Sequence, residues 1–142
     1  MLDDIYSAPL LEAAGTIPAE RRLDAPTARA RKASKVCGSV VEVELLVEDH
    51  IVKDFAVAVK ACALGQAAVS IVSKSIIGAT KTELYQLRDE TRAMLKEDGP
   101  APTNPRFAEV VKLQPIKDYP ARQASTLLVF DAVCAALDLI GD

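Results

Sequence analysis

The sequence predicts a fold that combines a strand hairpin with helices in one domain, and three observations predict it. Apolar and polar residues alternate from Val41 to Val47 and again from Val57 to Lys60, the two-residue period of half-buried strands. Beyond residue 62 the period changes, with Leu64, Ala67, Ala68, Ile71, Val72, Ser75 and Ile76 on one helical face. The chain of 142 residues, 50% of them hydrophobic, is long enough to bury one good core and gives no sign of two domains.

At the start, Leu2, Ile5, Tyr6, Leu10 and Leu11 predict a short amphipathic helix that ends near Gly15, followed by a linker holding Pro18 and Pro26. Residues 1–34 therefore read as a helical arm and linker at the front of a single domain spanning residues 1–142. Residues 29–35 are basic and without period. They are expected to form a solvated loop, the alternative being a docking surface for an acidic partner.

The strands follow: Val41, Val43, Leu45 and Val47 alternate with Glu42, Glu44 and Leu46, and Val57 and Val59 with Ala58 and Lys60. Glu48-Asp49-His50 is the expected turn. Gly78 closes the helix after Cys62, and Thr80-Lys81-Thr82-Glu83 matches a capping box that opens another helix reaching Lys96. Leu84, Leu87, Arg88, Thr91, Met94 and Leu95 mix apolar and charged faces, as expected of a helix on the surface. Asp98-Gly99-Pro100, Pro102 and Pro105 forbid its continuation. A short apolar segment over residues 107–113 then ends at Pro115, and a last helix starts near Pro120, a residue suited to the first helical turn, and runs to Ile140.

Composition removes several classes of function. A net charge of −3, with no basic stripe interleaved with aromatics, argues against nucleic acid as a partner. No apolar run approaches the ~18 residues of a membrane span, and the N-terminus lacks the hydrophobic region of a signal peptide. Three cysteines are an odd number, which favours free thiols in a reducing compartment over a disulfide framework and leads to the expectation of a cytoplasmic protein.

Two of those cysteines carry the chemistry. Cys37, in Val36-Cys37-Gly38-Ser39, precedes the first strand, and Cys62, in Ala61-Cys62-Ala63, follows the second. Antiparallel pairing of the strands brings both to one end of the hairpin. Cys62 falls at a helix N-terminus, where anions are stabilised and reactive thiolates are expected. The competing reading is that both are small residues chosen for close packing. Cys134 shares a helical face with Leu127, Phe130 and Leu137 and is expected in the core. His50, the sole histidine, sits in the turn at the far end of the hairpin and is not expected to bind metal.

With the helical arm in front and Asp118-Tyr119-Pro120-Ala121-Arg122 opening the last helix, these segments resemble the N-terminal domain of NifU, the IscU-type iron-sulfur cluster assembly scaffolds, over nearly the whole chain. The resemblance implies an α+β fold, a small antiparallel sheet of about three strands covered by helices, with a metal or cluster site at one exposed end. The family pattern uses three cysteines and an aspartate two residues after the first. Here Cys37 and Cys62 remain, Ser39 stands at the aspartate position and Ser125 at the third cysteine. Ala124 stands where IscU-type members have histidine and SufU-type members lysine. Thiolates suit iron-sulfur clusters and zinc, whereas a neutral serine hydroxyl is a poor ligand for either.

The resemblance thus implies a scaffold or carrier and not an enzyme, binding iron or a [2Fe-2S] cluster with Cys37 and Cys62 as metal ligands and Ser39 and Ser125 lining the cofactor site. Zinc, or no metal at all, is the alternative occupancy. The implied partners are a cysteine desulfurase and apo-protein recipients or chaperones, and a cluster shared between two protomers would make a homo-oligomer. Two other readings stand beside it. One is a SufU-like sulfur acceptor, with a persulfide on Cys37 and positive charge from Arg122 or Lys35. The other is a degenerate member that binds no metal and serves as a regulatory or structural subunit.

Overall fold

The computed structural model describes Leu11, Ala14, Gly15 and residues 22–35 and 38–140. Three strands, β1 (Ala28–Ala33), β2 (Val40–Glu48) and β3 (Ile51–Lys60), form an antiparallel sheet in the order β1-β2-β3. Helices α1 (Ala63–Ser75) and α2 (Lys81–Lys96), a 3-10 segment η1 (Pro105–Asp118) and α3 (Pro120–Asp138) follow. This is the α+β arrangement of three strands covered by helices that the resemblance implied.

The β2–β3 hairpin closes through Asp49 and His50, both with left-handed backbone (φ 54° and 64°). Two such residues in succession make the tight turn whose twist matches that of paired strands. The turn is anchored to the start of α2, where the Lys81 N–H donates to the His50 carbonyl at 3.0 Å. One face of the sheet carries Val41, Val43, Leu45, Phe55 and Val57, all buried, and the helices pack on it.

Residues 29–35, expected as solvated loop, contain β1 instead. The pattern is there, but its apolar member is alanine: Ala28 and Ala30 fall on the covered face, while Arg29 and Arg31 alternate onto the other. On that outer face Glu44 is only 3% exposed. It accepts hydrogen bonds from Arg29 Nε at 2.7 Å, the Leu23 N–H at 2.9 Å and Arg22 at 3.4 Å. Burial opposes its ionisation, and the Leu23 and arginine donors outweigh burial, so its carboxyl is held below the usual glutamate range. Glu44 thereby ties the segment entering β1 to the middle of the sheet.

Of the N-terminal arm, Leu11, Ala14 and Gly15 are helical, and Ala14 joins the core. The rest of that expected helix and Pro18 lie outside the described residues, as does Cys37. The capping box at α2 is present as expected, the Glu83 N–H donating to Thr80 Oγ1 at 3.1 Å and the Thr80 N–H to Glu83 Oε1 at 3.0 Å. Although α2 carries charge on one side, Leu84, Leu87, Thr91, Met94 and Leu95 are buried, so it is half inside the core.

The apolar segment expected to stop at Pro115 continues to Asp118 as η1, kinked at Phe107. Its buried residues are Phe107, Val110, Leu113 and Ile116, a strict spacing of three. That is the period of the 3-10 helix, which places all four on one face. Helix α3 runs through the middle of the molecule with residues buried on nearly all sides. Gln123, itself buried, donates through Nε2 to the carbonyls of Leu95 at 2.8 Å and Lys117 at 3.1 Å. That amide joins the ends of α2 and η1 to α3. No helix among the described residues is long and apolar enough to cross a membrane.

Candidate functional site

Where β3 ends at Lys60, the chain turns within two residues into α1. Cys62 is the residue that caps that helix, with extended backbone (φ −67°, ψ 172°) and no capping hydrogen bond from its side chain. Because the helix does not use the thiol, the thiol is available to its surroundings. The junction is held by the Gln66 N–H on the Cys62 carbonyl and by Gln66 Nε2 on the Ala61 carbonyl, both at 3.0 Å. Cys62 is half-buried.

Two other predicted site residues meet it. Ser125, early in α3 and 3% exposed, has its Oγ 3.5 Å from Cys62 Sγ. The same Oγ donates to Ser39 Oγ at 3.1 Å. Ser39 lies just before β2, after Gly38, whose φ of +72° suits glycine. Segments 23 and 63 residues apart in sequence are thus joined in one short chain of polar atoms: Ser39, Ser125, Cys62.

Gly65 makes this approach possible. A Cβ built there would stand 2.7 Å from Ala61 Cβ and 2.8 Å from Ser125 Oγ, so only glycine lets α1 lie against α3 at this point. Sequence reading passed over Gly65 because an isolated glycine in a helical pattern carries no signal of what packs against it.

The remaining candidates sort clearly. Cys134 is 1% exposed, with Sγ directed at the Leu84 carbonyl at 3.7 Å, and burial pushes its thiol up to about 12. It is the core residue the helical spacing predicts. His50 occupies the turn at the opposite end of β2 and β3, about 30 Å away by strand rise. The described contacts do not bring Arg122 or Lys35 to Cys62. Ala124 is exposed beside Ser125.

A further residue went unnoticed in the sequence. Ser34, just after β1, is 6% exposed, and its hydroxyl is buried without a hydrogen-bond partner among the described residues. Its backbone N–H donates to the Ser39 carbonyl at 2.8 Å.

As a metal centre the described set is sparse. It contains one thiol and two hydroxyls, and no group of three or more histidine, cysteine, aspartate or glutamate side chains placed to hold a metal exists among the described residues. A tetrahedral site for zinc or a cluster needs more anionic donors than this.

No protein-family model matches the chain. In sequence, it is 29% identical over 136 residues to the iron-sulfur cluster assembly scaffold protein IscU of Thermotoga maritima, covering 96% of this chain and 94% of that protein. In structure, it is similar to a nitrogen-fixing NifU-like protein (N-terminal) from Brucella abortus, with 50% identity, a TM-score of 0.93 and coverage of 96% and 94% of the two chains. It also shares the fold of the SufU protein of Fervidobacterium islandicum AW-1, with 20% identity, a TM-score of 0.86 and coverage of 95% and 98%.

Proposed function

Since this chain belongs to the IscU/NifU-like scaffold family, we propose that it is an iron-sulfur cluster assembly scaffold whose cargo is held through Cys62 together with Cys37. The observation that carries this reading is the meeting of Cys62, Ser125 and Ser39 at one end of the sheet, with contacts of 3.5 and 3.1 Å. Three separate segments converge where the resemblance locates its ligands. In this role the protein carries and does not catalyse. Its partners are a cysteine desulfurase that supplies sulfur and apo-proteins or chaperones that take the cluster on.

Two thiolates do not complete a cluster's coordination. The cluster is therefore bound weakly, its remaining positions met by a second copy of the chain or by an external thiol. Weak retention suits cargo that must leave.

A second reading, sulfur acceptance in the manner of SufU-type members, is favoured by one specific contact: among the described residues, the polar partner of Cys62 Sγ is the Ser125 hydroxyl, a poor metal ligand. On this reading the chain takes sulfur from a desulfurase as a persulfide and binds zinc or no metal. A third, a regulatory or structural subunit that binds no metal, follows if neither cargo is taken up.

Anaerobic reconstitution with ferrous iron, cysteine and a cysteine desulfurase tests the proposal. The scaffold reading predicts visible absorption of a cluster that is lost in Cys62→Ala. Persulfide without cluster absorption, found by mass spectrometry, selects the acceptor. Absence of both supports the non-metal subunit.

A further inference from the structure

We propose that Gln66 is a positioning residue for the uptake of cargo: it fixes the backbone on both sides of Cys62 in place of a side-chain cap, and so leaves the thiol free of its own helix and aimed at Ser125. This rests on the reading of Cys62 as the residue that holds cargo.

Two hydrogen bonds from one residue bracket Cys62. On its N-terminal side Gln66 Nε2 donates to the Ala61 carbonyl, and on its C-terminal side the Gln66 N–H donates to the Cys62 carbonyl, each at 3.0 Å. Each carbonyl belongs to a planar peptide unit, so both planes are held, and with them the Cys62 backbone angles of −67° and 172°. The bond from the Gln66 N–H is the ordinary first bond of a helix. The bond from its amide is particular to this side chain. Ala61 is confined from another direction too, its methyl lying 2.7 Å from where a Gly65 Cβ would stand. With the backbone set, Sγ keeps one freedom, rotation about Cα–Cβ among staggered positions, and the position it takes lies 3.5 Å from Ser125 Oγ.

A helix that begins at a cysteine makes a competing claim on the sulfur. The first N–H groups of a helix have no partner within it, and the side chain of the capping residue usually accepts from one of them and steadies the first turn. Cys62 is the capping residue of α1 and makes no such bond, and the first turn holds no acidic residue to serve instead. Sulfur is a weak acceptor as a thiol, and a helix N-terminus attracts the thiolate. A first turn left unsteadied therefore draws Cys62 away from Ser125, and a capping sulfur directs to its own helix the electron pair that iron or a second sulfur needs.

The Gln66 amide does the steadying without the thiol. It reaches back from the second turn of α1 to the residue before the cap and ties the helix start to the end of β3. Core packing does not account for this side chain. Leu64, Gly65, Ala67 and Ala68 around it are buried, whereas Gln66 is only half-buried, so its contribution is the bond to Ala61.

The test follows the thiol in a Cys37→Ala background, through the rate at which iodoacetamide alkylates Cys62, read by mass spectrometry of the peptide that contains it. Four chains are compared: the background itself, Ser125→Ala, Gln66→Leu and the two together. With the thiol aimed at Ser125, Ser125→Ala should change the rate roughly fivefold, the worth of one neutral hydrogen bond. Once the Gln66 donor is gone the thiol has left Ser125, and the same substitution should leave the rate nearly unchanged. Gln66→Glu, equal in size and without the amide donor, should behave as leucine does and provides the test should Gln66→Leu not fold. A Gln66 that acts on stability alone would lower the urea midpoint and keep the Ser125 factor. An equal Ser125 factor with and without the Gln66 donor, or none in the background chain, would overturn the proposal. With Cys37 present, Gln66→Leu should retain less iron and acid-labile sulfide than the native chain after anaerobic reconstitution, and equal retention would overturn it as well. Because alkylation needs no iron, a native chain that takes up no cluster while the Ser125 factor still depends on Gln66 would remove the functional reading and leave the positioning of Cys62 standing.

Discussion

At Cys62 the neighbouring atoms set how firmly any metal is held, and among the described residues the polar atom against its thiol is the Ser125 hydroxyl. Replacing Ser125 by cysteine adds a thiolate on a backbone position 3.5 Å-linked to Cys62, without changing side-chain size greatly. Ser125→Cys should therefore raise the iron and acid-labile sulfide retained per chain after anaerobic reconstitution and gel filtration, and Ser39→Asp combined with it should raise them further. No gain in either variant would argue that the site has been remodelled beyond metal binding. Gly65 gives a second prediction at this scale. In an exposed helix glycine to alanine stabilises by about 1 kcal/mol, but here the added methyl meets Ala61 and Ser125 Oγ below 3 Å. Gly65→Ala should instead destabilise by about 1–3 kcal/mol in urea unfolding and disturb the Cys62–Ser125 contact. The residues of this site that sequence could name were those with a chemical label, Cys62, Ser39 and Ser125, each fixed by position in a motif. Gly65 was illegible because its role lies entirely in what packs against it.

Among the elements, Gln123 offers the sharpest test of how the helices are joined. Gln123→Leu keeps the bulk but removes the donor to the Leu95 and Lys117 carbonyls, at a cost of about 1–3 kcal/mol for the buried groups left unpaired. The expected readout is a lower urea midpoint with an unchanged slope, and an unchanged midpoint would contradict the account. Elements with strong local punctuation were legible: the Asp49-His50 turn, the Thr80 capping box and Pro120 at the start of α3 all stand where their residues predict. β1 was hidden because its covered residues, Ala28 and Ala30, are alanines and three of its six residues are cations, so composition spoke for a loop while the partner Glu44 lay 15 residues away from Arg29. The extent of η1 was hidden because Pro115 ends an α-helix pattern, yet a three-residue period tolerates it.

For the molecule as a whole, two acidic groups link stability to pH. Donors from the strand and the entering segment hold Glu44 below the ordinary glutamate range against the effect of burial. The Asn104 amide and then the Thr80 N–H do the same for Glu83. Both groups bind protons more weakly folded than unfolded, so their contribution is fully present above the ordinary value of 4.5 and is lost as pH falls through the folded values. Urea midpoints should therefore decline below that value, and Glu44→Gln should flatten the decline; a variant with an unaltered acid limb would show that Glu44 does not supply it. The fold was legible at this scale because periodicity, caps and family resemblance agreed, and the meeting of the end of β3 with the start of β2 was legible because strand pairing alone forces it.

The central claim is that cargo is held at this end of the sheet through cysteine. Its most direct measurement is the iron and acid-labile sulfide content of protein purified without oxygen, compared with a Cys37→Ala, Cys62→Ala double variant of equal thermal stability. The account predicts iron and sulfide in near-equal amounts in the native chain and neither in the variant. Iron and sulfide retained by the variant, or absent from the native chain even after reconstitution, would contradict it.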